Sequence, residues 1–110
     1  MAEKNTRFCG MMGFAMRAGK VILGTDTVCH AMADKKSKLM LVVLSEYASD
    51  ATKKKILTKC EFYKIQALQI NMSTDELGDL LGKSYSPAVV GITDEGFARE
   101  ISKACGGQIE

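Results

Sequence analysis

The chain has 110 residues, of which 46% are hydrophobic and 25% are charged, and its formal net charge is +2 at pH 7. This length predicts one domain, and the composition is typical of a globular protein that buries a hydrophobic core. Even the apolar run LMLVVL, at residues 39–44, is far too short to cross a bilayer. The first residues, MAEKNTRFCG, lack the apolar region of a signal peptide, so we expect a cytoplasmic protein.

In chain order, the apolar residues predict alternating helices and strands. Asn5 or Thr6 is the expected N-cap of the first helix, and Gly19 its end. Ser49 or Asp50, Ser73 or Thr74, and Thr93 or Asp94 are the expected caps of three later helices. The predicted elements are helices at 5–18, 25–34, 50–63, within 73–82 and within 93–105, and strands at 20–23, 38–44, 65–70 and 88–92.

Two of the predicted strands, 38–44 and 88–92, are almost entirely apolar and show no alternation. Such runs indicate strands that are covered on both faces. With the alternating helices, they predict an α/β fold with a sheet between two helical layers. We expect Val42, Val43, Val89 and Val90 to lie buried in adjacent central strands.

The four cysteines, Cys9, Cys29, Cys60 and Cys105, are widely spaced, and His30 is the only histidine. A zinc site normally shows close pairs of ligands, and this chain has no CxxC pair. We therefore expect four small buried hydrophobic residues and no metal site.

The charge is unevenly distributed along the chain. Residues 1–64 carry 12 Lys+Arg against 6 Asp+Glu, a net +6, whereas residues 65–110 carry 3 against 7, a net −4. A basic N-terminal part suits a polyanionic partner such as nucleic acid. An ordinary solvated surface is the alternative, because a fold can intermix the two parts.

The stretch GTDTVCHAM, residues 24–32, predicts a helix with two different faces. Val28, Ala31 and Met32 share the side that meets the core, while Asp26, Thr27 and His30 share the opposite side. Gly24 allows close approach of a partner, and the first N–H groups of the helix suit an anion. On spacing alone, an ordinary helix with a polar face is favoured.

Enzyme motifs are absent from the sequence. Asp26 stands four residues before His30, where it can orient the imidazole, but no Ser or Cys lies in a nucleophile motif such as G-x-S-x-G. Neither the P-loop nor the G-x-G-x-x-G motif occurs. We therefore expect a protein that is not an enzyme.

Taken together, several segments resemble the ribosomal protein family that binds kink-turn RNA. In order, they are MRAGK, GTDTV, KLMLVVLSEYASD, TKKKILTKC, DELGDLLGK and VVGITDEGFA, and the resemblance as a whole covers about residues 8–104. The family includes the archaeal ribosomal protein L-seven-Ae and the eukaryotic ribosomal protein L-thirty-e, and the chain resembles its small bacterial YlxQ-like branch. The resemblance implies one RNA-binding domain over residues 1–110, a three-layer α-β-α sandwich with a mixed four-stranded sheet, no cofactor, and association with RNA or the ribosome.

The resemblance also implies an RNA surface, because that family uses its glycine-led helix start and the loop before its last strand. Here Gly24 and Thr25 would hold backbone phosphate, and Asp26, Thr27 and His30 would meet base edges. The family typically has Asn or a basic residue at the first of these three positions, Glu or Gln at the second, and Lys at the third. The second part of the surface would be the loop of Lys83, Ser84, Tyr85, Ser86, Pro87 and Ala88, in which residues 84–88 would cover a nucleotide.

Lysines near this surface are expected to add charge, and we assign that role to Lys20, Lys36 and Lys83. The lysines of the third helix, at 53–55 and 59, are better interpreted as the solvated face of an amphipathic helix. Tyr85 can stack on a base or pack under Pro87, and the sequence does not decide between them.

The resulting hypothesis is a non-catalytic cytoplasmic RNA-binding protein of the translation apparatus, which binds structured RNA such as a kink-turn. The alternative is a protein-interaction module on the same fold that has lost RNA binding. Its partner surface would be the acidic residues 94–100 or the methionine-rich first helix.

Overall fold

Four strands form one mixed sheet in the computed structural model, which describes residues 2–82 and 87–104. The strands are β1 (Val21–Leu23), β2 (Leu41–Ser45), β3 (Gln66–Ile70) and β4 (Val89–Ile92), in the spatial order β1–β4–β2–β3. β2 is parallel to β3, and β4 is antiparallel to both β1 and β2. Val43 pairs with Val90 across the two central strands. The predicted burial is confirmed, since Val42, Val43, Val89 and Val90 are all fully buried.

Helices cover both faces of this sheet, which confirms the three-layer sandwich. Within the described residues they are α1 (Ala2–Arg17), α2 (Thr25–Ala33), α3 (Asp50–Tyr63), α4 (Thr74–Leu80) and α5 (Glu95–Ala104). α1, α4 and α5 pack on one face, where Met12, Leu77 and Ile101 meet Val43 and Val90. α2 and α3 pack on the other face, which buries a second cluster that includes Val28, Ile56, Cys60, Val42 and Val89. Successive side chains of β2 and β4 therefore point to opposite faces of the sheet and pack in different core clusters.

Three later helices begin at caps that the sequence offered. Ser49 accepts a hydrogen bond from the Thr52 N–H at the start of α3. Ser73 forms a capping box with Glu76 at the start of α4, and the Asp94 carboxylate accepts from the Phe97 N–H at the start of α5. The cap expected for the first helix is wrong, because α1 begins at Ala2 and so contains residues 5 and 6.

The start of β2 also differs from the sequence prediction. The strand begins at Leu41 instead of residue 38, because the preceding residues form a 3-10 helix, Lys35–Ser37. The Asp34 carboxylate accepts from the Lys36 N–H at its start, and Lys38 has a left-handed backbone with φ 58°. A left-handed residue interrupts an extended strand, so pairing starts only beyond it.

The C-terminal ends of β1, β2 and β3 and the beginning of β4 lie at the same end of the sheet. The Gly24 N–H donates to the Val89 carbonyl oxygen at 3.1 Å, and the Ser45 N–H donates to the Ala88 oxygen at 3.0 Å. We call this the Gly24 end of the sheet. α2, α3 and α4 all start here, because each of them follows a strand that ends here.

Candidate functional site

The start of α2 is built on a glycine in an unusual backbone conformation. Gly24 is the N-cap, with φ 98° and ψ 147°, a region that residues with a side chain rarely adopt. It offers no side-chain cap to the helix. The N–H groups of the first turn therefore lack the usual capping oxygen and are suited to an external anion.

The outer face of α2 presents the predicted polar residues to solvent. Asp26, Thr27 and His30 are exposed, whereas Gly24 and Thr25 are half-buried. The residues predicted to face the core, Val28, Ala31 and Met32, are buried. The structure thus brings Gly24, Thr25, Asp26, Thr27 and His30 together on one surface.

An open cleft of about 380 Å³ runs along this surface, between α2 and α3. Its lining residues are Asp26, Cys29, His30 and Ala33 from α2, and Lys55 and Lys59 from α3. The Lys55 ammonium lies 3.8 Å from the Asp26 carboxylate. The sequence pattern predicted that both lysines lie on a solvated face of α3, and it did not predict that they adjoin the site. Their i, i+4 spacing placed them on one face of α3, but not against α2.

Lys20 and Lys36 do not join this surface, although both are exposed. The Lys20 carbonyl accepts from the Thr93 N–H at 3.0 Å, which places Lys20 at the end of β4 opposite the Gly24 end. Lys36 follows α2, whose nine residues extend about 14 Å away from Gly24. Four residues after Lys36, the Met40 N–H donates to the Ile92 carbonyl oxygen at 2.8 Å. The segment after Lys36 therefore also lies at the end of the sheet opposite the Gly24 end.

The loop before β4 is described only in part. Lys83, Ser84, Tyr85 and Ser86 lie outside the described residues, whereas Pro87 is buried and Ala88 is half-buried. Ala88 accepts a hydrogen bond from the Ser45 N–H at the end of β2, and its neighbour Val89 accepts one from the Gly24 N–H at the start of α2.

An exposed aromatic side chain at the Gly24 end was not singled out from the sequence. Tyr47 stands two residues beyond β2 and is 64% exposed. Its hydroxyl donates to Asn71 Oδ1 at 2.9 Å, and its backbone N–H donates to Ser45 Oγ at 3.0 Å. These bonds hold an exposed ring in place beside the ends of β2 and β3.

The cysteines differ in burial and in ionisation. Cys60 is buried as expected, whereas Cys9 and Cys29 are only half-buried, and Cys105 lies outside the described residues. Burial raises the pKa of the Cys60 thiol to about 11, and the neighbouring Cys29 adds to this rise. Burial also raises the pKa of Cys9, with a further contribution from Glu76. In the part of the chain that the structure describes, no three His, Cys, Asp or Glu side chains are grouped as a metal site.

The sandwich and the exposed start of α2 define a small α/β protein with a polar surface beside the Gly24 end of its sheet. Residues 9–102 match the Ribosomal protein L7Ae/L30e/S12e/Gadd45 family, and the chain belongs to this family. It is 38% identical over 91 residues to the RNA-binding protein YlxQ of Bacillus subtilis, covering 83% of this chain and 87% of that protein. The large ribosomal subunit protein eL30 of Sulfolobus acidocaldarius is 37% identical over 92 residues, with 84% and 86% covered.

Solved structures show the same fold. A protein of unknown function from Bacillus halodurans superposes with a TM-score of 0.81 at 31% identity, covering 90% of this chain and 96% of that one. The Giardia lamblia 15.5kD RNA binding protein superposes with a TM-score of 0.75 at 16% identity, covering 96% and 88%. Among the helices that the structure describes, none is both long enough and apolar enough to span a membrane.

Proposed function

We propose that this chain is a non-catalytic, cytoplasmic RNA-binding protein of the translation apparatus that holds structured RNA at the Gly24 end of the sheet. The observation that carries the proposal is the pair of hydrogen bonds from Gly24 to Val89 and from Ser45 to Ala88. The first bond joins the N-cap of α2 to the start of β4, and the second joins the end of β2 to Ala88, the residue just before β4. Gly24 and Ala88, which belong to the two segments that the resemblance gave as the RNA surface, therefore lie at the same end of the sheet. The Bacillus subtilis relative and a second relative from Enterococcus faecium, 34% identical over 90 residues, are both named RNA-binding proteins, which supports the same class of ligand.

The groups on α2 suit different parts of an RNA. The first N–H groups of the helix, together with Gly24 and Thr25, suit a backbone phosphate. The Asp26 carboxylate only accepts hydrogen bonds, so it pairs with base amino groups, whereas the Thr27 hydroxyl and the His30 imidazole can also donate. As the resemblance implies, residues 84–88 would complete the site by covering a nucleotide.

Tyr47 provides a surface for a base that leaves the helical stack. Unstacked bases in RNA loops and bends commonly pack on exposed aromatic rings. The bonds to Asn71 and Ser45 fix this ring before RNA arrives, which lowers the entropic cost of binding.

Fluorescence anisotropy with two labelled RNAs tests the proposal. One RNA is a hairpin with a kink-turn in its stem, and the other is a hairpin of equal length with an uninterrupted stem. We expect tighter binding of the kink-turn hairpin, and an affinity for it that falls as salt rises because phosphate contacts release counterions. Equal affinity for both hairpins would overturn the kink-turn as the feature that the protein recognises. Absence of binding even at low salt would overturn RNA binding altogether and favour the protein-interaction alternative.

A further inference from the structure

The cleft between α2 and α3 opens directly beside the predicted RNA face of α2. Two of its lining residues, Asp26 and His30, belong to that face, and Lys55 and Lys59 stand on the facing helix. An RNA that contacts the outer face of α2 would therefore lie across the mouth of the cleft.

The two lysines are arranged to meet consecutive negative charges. They stand four residues apart on α3, which places them on the same side and about 6 Å apart along the helix axis. The side chain of Lys55 is 48% exposed and Lys59 is half-buried, so both stems are partly packed along the helices. Two ammonium groups face one carboxylate, so the cleft has an excess of positive charge.

The ion pair between Lys55 and Asp26 is weak enough for Lys55 to exchange the carboxylate for a phosphate. The two groups are 3.8 Å apart, and the Asp26 side chain is 91% exposed. Exposed ion pairs of this length contribute little, because water and salt screen them. We infer that the α2–α3 cleft is a phosphate-binding part of the RNA site, in which Lys55 leaves Asp26 and, with Lys59, contacts the RNA backbone. This inference rests on the proposed function.

Other lysines of α3 are placed differently. The Lys53 ammonium donates to the Glu46 carbonyl oxygen at 3.0 Å. Lys54 is exposed but does not line the cleft. Lys103, on α5, is exposed on the opposite side of the sheet. Lys54 and Lys103 therefore provide a control with the same loss of charge.

The test compares the salt dependence of kink-turn RNA binding for three proteins: wild type, Lys55→Gln/Lys59→Gln and Lys54→Gln/Lys103→Gln. Each lost phosphate contact reduces the slope of log affinity against log salt by about one unit. We expect the cleft variant to bind more weakly with a slope reduced by roughly two units. The control variant should keep the wild-type slope, and urea unfolding should show that both variants are folded.

A second measurement locates the RNA without relying on affinity. The exposed Ala33 lines the cleft, so Ala33→Cys places an accessible thiol there beside Cys29. Trypsin releases both positions on the peptide 21–35, and Cys9 on the separate peptide 8–17. Saturating kink-turn RNA should slow maleimide alkylation of peptide 21–35 and leave that of peptide 8–17 unchanged, because α1 packs on the other face of the sheet.

The outcomes separate this inference from the proposed function. If the wild type binds no RNA, the proposed function fails and the inference fails with it. If the wild type binds but the cleft and control variants have the same slope, only the inference is overturned. Unchanged alkylation of peptide 21–35 under saturating RNA also overturns it. A slope reduced only in the cleft variant, together with protection of that peptide, supports it.

Discussion

The Lys55 ammonium of α3 lies 3.8 Å from the Asp26 carboxylate of α2, so the two helices on one face of the sheet are joined at their exposed surface as well as in the core. Asp26 stands at the position where the resembled family has Asn or a basic residue. In this chain a negative charge at the proposed RNA face is accompanied by a cation from the next helix, which reduces the repulsion that a phosphate would meet.

The pairing leads to a prediction about Asp26→Asn. Replacing the carboxylate removes a charge that repels phosphate and also releases Lys55, so RNA binding should become tighter. At about 4 Å in water one charge pair is worth about 1 kcal/mol, so we expect about a five-fold gain. In the Lys55→Gln background the gain should be clearly smaller, because no lysine is then released. Anisotropy titrations of the four proteins of this double-mutant cycle measure the difference.

Asp34→Asn is the matched control for this cycle. Asp34 is exposed at the far end of α2, and asparagine keeps an oxygen that can accept from the Lys36 N–H. This variant should bind kink-turn RNA as the wild type does. An Asp26→Asn gain of equal size with and without Lys55 would contradict the coupling.

Tyr47 gives a prediction that concerns bases rather than phosphates. Tyr47→Leu keeps an apolar side chain but removes the aromatic face, and base stacking on an aromatic ring is worth about 1–3 kcal/mol. We expect kink-turn RNA to bind at least five-fold more weakly, with little change in the salt slope. Tyr47→Phe keeps the ring and loses only the bond to Asn71 that fixes it, so this variant should lose much less affinity than Tyr47→Leu. Equal affinities for the Leu and Phe variants would argue against stacking.

The sequence predicted the layers of the fold because its two central strands are almost wholly apolar. Only a sheet covered on both faces hides such runs, and the structure places Val43 beside Val90 accordingly. The predicted starts and ends of the helices and strands were less accurate where a single residue adopts an unusual backbone conformation. Lys38, with φ 58°, delays the start of β2, and a lysine gives no signal for a left-handed turn.

The candidate site was predicted where it depends on the periodicity of one helix. Asp26, Thr27 and His30 share the exposed face of α2 because three- and four-residue spacing requires it. Lys55 and Lys59 come from a helix more than twenty residues away, and that contact depends on how two helices pack on a sheet. Lys20, close to Gly24 in sequence, lies at the opposite end because β1 runs between them.

The Cys60 thiol predicts how stability changes in alkaline solution. Its pKa rises from 9.0 to about 11 on folding, so the unfolded chain releases this proton at a lower pH than the folded protein does. The stabilising contribution is complete below pH 9.0 and is lost as the pH rises towards about 11. Urea unfolding at about pH 8 and about pH 10.5 should show a larger fall in the free energy of unfolding for the wild type than for Cys60→Ala. Equal falls would contradict this linkage.

His30 predicts a pH dependence of RNA binding rather than of stability. The charged groups that line the cleft with it are Asp26, Lys55 and Lys59. Carboxylates and lysine ammonium groups in general keep their charges between about pH 5.5 and about pH 7.5, whereas a histidine gains a proton as the pH falls. Kink-turn RNA should therefore bind the wild type more tightly at the lower pH, because a protonated imidazole attracts a polyanion. His30→Ala should remove this dependence, and His30→Lys should bind tightly at both pH values because its charge does not change. The same pH dependence in wild type and His30→Ala would exclude His30 from the RNA contact.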